Sequence, residues 1–325
     1  MIESKLFSIS NEAEFNETAL DIFRLQAKKC AVYKEYIHLL NIDGKEVKDV
    51  HNIPFLPIEF FKSHDVILEG QIAQQTFTSS GTTGIQTSKH LVSDLSIYEK
   101  SFRNCFDLFY SNSKNVAILA LLPSYLERTG SSLIYMIDDL IKTSSSSESG
   151  YFLYNHDELY SNLLSLQRKN TPTILFGVTY ALLDFVENYQ IDFPELIIME
   201  TGGMKGKRKE IIRKELHETL CKGFGVKTIH AEYGMTELLS QAYSKGKGLF
   251  TCPPWMKILI RELNDPFNYE EVGSSGGINV IDLANINSCS FIATQDLGRL
   301  NSNNEFEVLG RFDQSDVRGC NLMIQ

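Results

Sequence analysis

The sequence predicts an α/β fold, layered, with a small β subdomain after the α/β part, and three observations carry that reading. From about Val116 the chain repeats one unit: a short apolar run, a Gly-rich or polar loop, then an amphipathic helix. From Gly273 onward the pattern changes to short strands broken by turns. A length of 325 residues, 43% hydrophobic and 22% charged, is enough to bury the core that such layers need.

Taken in order, the first sixty residues read as helices, with Ala19, Leu20, Phe23 and Ala27 at three- and four-residue spacing. The turn-rich Asn52-Ile-Pro-Phe-Leu-Pro57 follows them, and this part predicts a packing lid without chemistry. Strands are predicted at Val116–Leu122, Thr173–Gly177, Leu196–Glu200 and Lys227–Ala231, each a short apolar run. Between the last two, Lys205–Lys222 sets Ile212, Leu216 and Leu220 at four-residue spacing with Lys and Arg opposite, which predicts a half-buried helix. The run Thr143–Gly150, rich in serine, cannot pack a core and predicts a mobile surface loop. Later strands are predicted at Gly277–Leu283, Ser290–Ala293 and Glu305–Leu309, with Asn301–Asn304 as a hairpin turn. The whole reads as a single domain, with a helical N-terminal part over 1–70, an α/β core over about 71–270 and a β subdomain over about 271–325.

Composition excludes several classes. A net charge of -10 argues against nucleic acid as partner, because a polyanion repels an acidic surface. Apolar stretches such as Val116–Leu122 fall far short of the roughly 20 residues that span a bilayer, so no membrane span is expected. The N-terminus carries acids early and has no continuous apolar region, which does not read as a secretory signal and leaves a cytoplasmic location as the expectation. Six cysteines, Cys30, Cys105, Cys221, Cys252, Cys289 and Cys320, form no Cys-x-x-Cys pair, which disfavours a zinc or dithiol site.

Residues Thr76–Gly84 read TFTSSGTTG, a block of hydroxyls and glycines at the end of a strand-like segment. Glycines let successive N–H groups converge, and Ser and Thr hydroxyls add donors, which together suit a polyphosphate. Ile85 stands where a Walker A loop needs lysine. The Gly-x-Gly at Gly223–Gly225 has Thr228 where a dinucleotide fingerprint needs its third glycine.

Ser79-Ser80-Gly81-Thr82-Thr83-Gly84 resembles the phosphate loop of the adenylate-forming superfamily, and four further matches follow in that family's order. Glu200-Thr-Gly-Gly203 resembles its Gly-rich loop over the adenine, which implicates Gly202 and Gly203. Ala231-Glu-Tyr-Gly-Met-Thr-Glu237 resembles its Tyr-Gly-x-Thr-Glu motif. There Tyr233 offers an aromatic face to the purine, Gly234 lets the backbone approach, and Thr236 supplies a hydroxyl near the α-phosphate. Glu237 is the expected Mg2+ ligand, since this hard cation takes one or two carboxylates plus phosphate oxygens. Thr294-Gln-Asp-Leu-Gly298 resembles the segment whose carboxylate accepts from both ribose hydroxyls, the role implied for Asp296; alone, the string also reads as a turn closing a hairpin. Leu309–Gly319 resembles the hinge motif, with Arg311 reaching ribose or phosphate and Asp313 marking the hinge. The resemblance implies ATP and Mg2+ as cofactors and a carboxylic acid as substrate.

Relatives continue past the hinge into a small domain with a lysine for adenylation, whereas this sequence stops six residues after Gly319. The expectation is that catalysis proceeds without that lysine or that a partner supplies the charge; Lys205 is an internal candidate. Many relatives also carry Pro-Lys after the phosphate loop, where here Lys89 falls further on. The ending, with Cys252-Pro-Pro-Trp255 and Arg-Gly-Cys320, most resembles the acyl-protein synthetase (LuxE-type) branch of bacterial fatty-acid reductase complexes. That branch passes a fatty acyl group through a cysteine near the C-terminus to a reductase partner, which implies Cys320 as acceptor, its thiolate attacking the mixed anhydride. Cys320 also reads as an exposed terminal thiol. Leu121–Tyr125 and Phe176–Tyr180 lie at strand ends and suit an aliphatic or aryl tail, or a plain core. The alternatives are an acid–CoA ligase of the phenylacetate type and a non-catalytic nucleotide-binding subunit. A hydrolase reading of Gly273-Ser-Ser-Gly-Gly277 fails, because a nucleophile elbow needs a strand before it and a helix after it.

Overall fold

The computed structural model describes residues 5–79, 87–123, 130–202 and 212–311. They fold into two compact units: the described parts of Met1–Gln74, His90–Ser93 and Pro254–Gln325, and those of Gln75–Lys89 and Asp94–Pro253. The first unit begins with α1 (Glu12–Lys29), whose Asn11 cap accepts from the Glu14 N–H at 3.0 Å, and α2 (Ala31–Leu39). The buried face of α1 is Phe15, Ala19, Ile22, Phe23 and Gln26, while the predicted Leu20 and Ala27 are only half-buried. Gln26 explains the rotation. Its Nε2 donates to the carbonyls of Asn285 (2.9 Å) and Ile286 (3.1 Å), and its Oε1 accepts from the Ser290 N–H at 3.0 Å. A buried amide satisfied in this way makes the N-terminal helices part of one core with the C-terminal strands. Then come β1 (Leu56–Pro57) and α3 (Phe60–Ser63).

The second unit opens with β2 (Gln75–Thr78), and β3 (Lys89–Val92) lies in the first unit from His90 onward. There follow α4 (Leu95–Tyr110), β4 (Ala117–Leu121), α5 (Ser132–Thr143), β5 (Gly150–Tyr151), α6 (His156–Arg168), β6 (Thr173–Gly177) and α7 (Thr179–Asn188). The unit continues through β7 (Ile197–Glu200), α8 (Arg213–Phe224), β8 (His230–Tyr233), β9 (Ala242–Ser244) and β10 (Leu249–Phe250). Its main sheet has the order β5-β4-β6-β7-β8-β9, parallel except for β9. Every position of β4 and β6 is buried, which is why both read as unbroken apolar runs. The strand expected at Lys227–Ala231 starts later, because Gly225 (φ +67°) ends α8 in a left-handed turn and the Val226 N–H still bonds to the Cys221 carbonyl at 3.1 Å. A Cβ at Gly223 would lie 2.5 Å from Val186 on α7, so helix packing accounts for that glycine. The serine run is tied down, contrary to the expectation of a mobile loop. Ser144 Oγ donates to the Val116 carbonyl (2.7 Å) and Ser149 Oγ accepts from the Ile118 N–H (3.0 Å), so hydroxyls satisfy backbone groups at the start of β4.

The chain then returns to the first unit as an antiparallel sheet of β11 (Met256–Arg261), β12 (Ser275–Asp282), β13 (Phe291–Leu300) and β14 (Phe306–Arg311), in that spatial order. It joins this unit earlier than the change near 271 read from the sequence. β1 pairs in parallel with the first half of β13, Leu56 opposite Ile292, and β14 takes the second half. Phe291 anchors the core, its ring 6.0–6.2 Å from those of Phe23, Tyr33 and Phe55. Thr294–Gly298 lies within the continuous β13, with a register shift after Leu297, and does not form a hairpin turn. Gly273–Gly277 leads directly into a strand, as the rejection of a hydrolase elbow requires. Among the described residues, no helix is long and apolar enough to cross a membrane.

Candidate active site

In the parallel sheet, β4, β6, β7 and β8 present their carboxyl ends along one edge, where open α/β sheets bind ligands. Gly202, just beyond β7, adopts φ +72°, a left-handed conformation that favours glycine. Its carbonyl accepts from Thr179 Oγ1 at 2.7 Å, and the same hydroxyl lies 3.0 Å from Glu200 Oε1. Glu200 Oε2 is 2.9 Å from His217 Nε2 on α8. Next to it, Thr201 Oγ1 donates to Glu232 Oε2 at 3.2 Å. The Gly-rich loop predicted from sequence therefore stands on hydroxyls, an imidazole and two carboxyls.

The Tyr233–Glu237 string connects β8 to β9, with Tyr233 paired to Ala242. Tyr233 is buried, edge-on to Phe250 with centroids 6.0 Å apart, and Gly234 is exposed. Thr236 is half-buried and Glu237 only 5% exposed. Helix α4 supports this connection from below: Ser101 Oγ and Ser240 Oγ are 3.1 Å apart, and Cys105 Sγ donates to the Gln241 carbonyl at 3.3 Å. Burial pushes the Glu232 carboxyl up to about 7, against a smaller opposing effect of the Thr201 hydrogen bond. Burial, then the charge of Lys245, pulls His230 down to about 4.

Ser79 follows β2, and its backbone N–H donates to the Ser88 carbonyl (3.1 Å) while its Oγ accepts from the Ser88 N–H (2.9 Å). These bonds clamp the base of the predicted phosphate loop. Ser80, Gly81, Thr82, Thr83 and Gly84 lie outside the described residues, as do Gly203, Lys205, Asp313 and Cys320.

In the other unit, Asp296 and Arg311 are cross-strand neighbours, with Nε 3.4 Å from Oδ1. Asp296 keeps 13% of its side chain exposed and Arg311 70%. Buried Arg261 braces the same strand: Nη2 donates to the Thr294 carbonyl at 2.6 Å, and Nη1 to the Ile278 carbonyl (2.8 Å) and Asn279 Oδ1 (2.9 Å). A Cβ at Gly277 would lie 2.5 Å from the Arg261 guanidinium carbon, so glycine makes room for it. Sequence reasoning did not find Thr179, Thr201, His217, Glu232 or Arg261. The available signals were an acid inside a recognised string and an arginine closing the apolar run of β11.

Among the described residues no group of three or more His, Cys, Asp or Glu could hold a metal by itself. Glu237 is a single carboxylate, which fits a magnesium ion whose remaining ligands come largely from a triphosphate.

A model of the family described as acyl-protein synthetase, LuxE, matches residues 1–325. The chain belongs to that family. No curated protein matches it in sequence. Its structure is similar to ATP-bound MatB from Rhodopseudomonas palustris, at 16% identity and TM-score 0.54, covering 73% of this chain and 47% of that one. It is also similar to a 2-hydroxyisobutyryl-CoA ligase in complex with 2-HIB-AMP and CoA (8% identity, TM-score 0.68, 93% of this chain and 71% of that one). A long-chain-fatty-acid-CoA ligase from Archaeoglobus fulgidus is a third (14% identity, TM-score 0.52, 73% and 51%). The fold of this LuxE-family chain is thus that of adenylate-forming ligases, and the chain spans about half the length of MatB.

Proposed function

We propose that this chain activates a carboxylic acid of the fatty class with ATP, forming an acyl-adenylate and pyrophosphate, and then transfers the acyl group to a protein cysteine or a reductase partner. The LuxE family match over residues 1–325 carries the proposal. Gly202, Tyr233 and Glu237 at the carboxyl edge of one sheet, and the Asp296–Arg311 pair on the other, support it. A carboxylate oxygen of the acid attacks the α-phosphorus, and the bond to the bridging oxygen breaks with its electron pair leaving on pyrophosphate. Gly202 and Tyr233 bound the base, Asp296 accepts from the ribose hydroxyls, and Thr236 and Arg311 donate to phosphate oxygens. Glu237 would hold a magnesium ion, which when bound would supply neutralisation of phosphate charge.

In the second half-reaction a thiolate attacks the acyl carbon and AMP departs with the electron pair of the broken bond. Cys320 is the proposed acceptor. Burial raises the thiols of Cys30 and Cys289, which makes both poor nucleophiles near neutral pH. The cytoplasm is the proposed compartment. A second reading, transfer to coenzyme A, is favoured by the likeness to CoA ligases.

ATP–pyrophosphate exchange across a panel of fatty and aryl acids tests the first step. We expect acid-dependent exchange that Glu237→Gln lowers on the order of 100-fold, the scale for removing one charge-stabilising group. Cys320→Ala should spare exchange and block transfer of a labelled acyl group to protein. Label released onto coenzyme A would favour the second reading, and ATP binding without exchange would indicate a regulatory subunit.

A further inference from the structure

Glu232 stands in the same string as Tyr233 and Gly234, yet none of the roles above uses it. Its surroundings are unusual for a strand carboxyl. The parallel register that pairs Met199 with His230 and Glu200 with Ala231 continues so that Thr201, just past β7, stands beside Glu232. There the Thr201 hydroxyl donates to Glu232 Oε2 at 3.2 Å, and Thr201 is itself buried. On its other side Glu232 meets Gly234: a Cβ added at 234 would collide with Glu232 Oε1, whereas its next neighbours would be Glu232 Cδ at 3.4 Å and Gln241 Cγ at 3.5 Å. Gly234 is not in the left-handed region, so backbone strain does not account for the glycine. Room for the Glu232 carboxyl does.

We propose that Glu232 is a positioning residue of the nucleotide site, tying the loop after β7 to the turn after β8 so that the Thr201–Gly202 and Tyr233–Gly234 backbones keep a fixed spacing around the base. The role rests on the reading of those two loops as the adenine pocket. Glu232 touches no reacting atom. It acts through Thr201 on one side and Gly234 on the other.

The test is ATP affinity by titration calorimetry on the full chain, with a melting temperature for every variant and KM and kcat from pyrophosphate exchange. Glu232→Ala, Thr201→Val and Gly234→Ala should each weaken ATP about tenfold, the scale of one lost buried hydrogen bond. KM for ATP should rise in step while kcat at saturating ATP holds. Glu232→Gln and Thr201→Ser keep the acceptor and the hydroxyl and should bind ATP as the parent does. The Glu232→Ala/Gly234→Ala double variant should be no weaker than either single one, because both act through the same carboxyl. Effects that multiply in the double variant, or undiminished ATP binding by Glu232→Ala and Thr201→Val, would overturn the positioning role alone. If Glu232→Ala does not fold, the Thr201→Val and Thr201→Ser pair decides. A parent chain that binds no ATP would overturn the adenine-pocket reading, and the role with it.

Discussion

The two units hold the acids of their candidate site segments in opposite ways. At the parallel-sheet edge, Glu200 and Glu232 are half-buried and held by Thr179, His217 and Thr201, so hydroxyls and an imidazole from two helices and a loop fix them. In the antiparallel unit, Asp296 pairs with a guanidinium that is 70% exposed. A buried hydrogen bond contributes to stability and leaves an unsatisfied group when broken, whereas an exposed ion pair contributes about 0–1 kcal/mol and is readily exchanged for another partner. One region is a frame, whose residues serve fold and site together. The other is an ion pair whose outer partner, Arg311, is open to solvent.

The largest effect that contrast predicts is on ligand binding without unfolding. Asp296→Ala should raise the ATP dissociation constant about 100-fold, the loss of two hydrogen bonds to a charged acceptor at about 1.5 kcal/mol each. Its melting temperature should fall less than that of a frame variant, since the Arg311 partner it leaves is 70% exposed and can be resolvated. Calorimetry and a thermal melt on one preparation measure both quantities. Unfolding by this variant would place Asp296 in a frame like that of Glu200, and the contrast would fail.

A smaller effect, on stability and binding together, is expected from the frame. His217→Ala leaves Glu200 Oε2 without its imidazole partner in a half-buried site, which should lower unfolding free energy by about 2 kcal/mol in urea titrations. KM for ATP should rise as well, because Glu200 and Gly202 share the Thr179 hydroxyl. Thr179→Val removes that hydroxyl and should cost about 1 kcal/mol with the same change in KM. Either variant altering KM with stability unchanged would show that the frame is not structural.

The same contrast explains what could be read in the sequence. β4 and β6 were legible because parallel strands buried on both faces read as apolar runs. Asp296, Tyr233 and Glu237 could be proposed from the sequence because each stands in a short string that resembles a motif of the adenylate-forming superfamily. His217 was not legible, because on α8 it falls within a run of lysines and glutamates, and only the fold turns it toward Glu200. Gln26 and Asn285 are 259 residues apart, and their hydrogen bond shows why the N-terminal helices read as an independent lid: local periodicity says which face is buried and not what covers it. The Ser144 and Ser149 bonds teach the same lesson, since polar composition marks a stretch that needs no core, and says nothing about whether nearby backbone groups need hydroxyls.

The last effect is on the pH dependence of stability, and it asks how dry the frame is. His230 and Glu232 alternate onto one face of β8, with Tyr110 Oη 3.1 Å from His230 Nδ1. Glu232 titrates at about 7 when folded against 4.5 in the ordinary state, so between those values the native chain holds the extra proton and stability falls as pH rises. His230 titrates at about 4 against 6.5, so the unfolded chain holds the extra proton and stability rises over that window. The two slopes oppose one another from about pH 4.5 to 6.5 and largely cancel. Glu232→Gln keeps the acceptor for Thr201, cannot ionise, and should uncover the His230 slope. The melting temperature of the variant relative to the parent should therefore climb from pH 5 to pH 7.5, by an amount worth about 2 kcal/mol, and level off above that. Comparing the two chains at each pH removes the titration of every other group. A difference that did not change with pH would mean that Glu232 is as well solvated when folded as when unfolded, and the parallel-sheet edge would then be no drier than the surface that exposes Arg311.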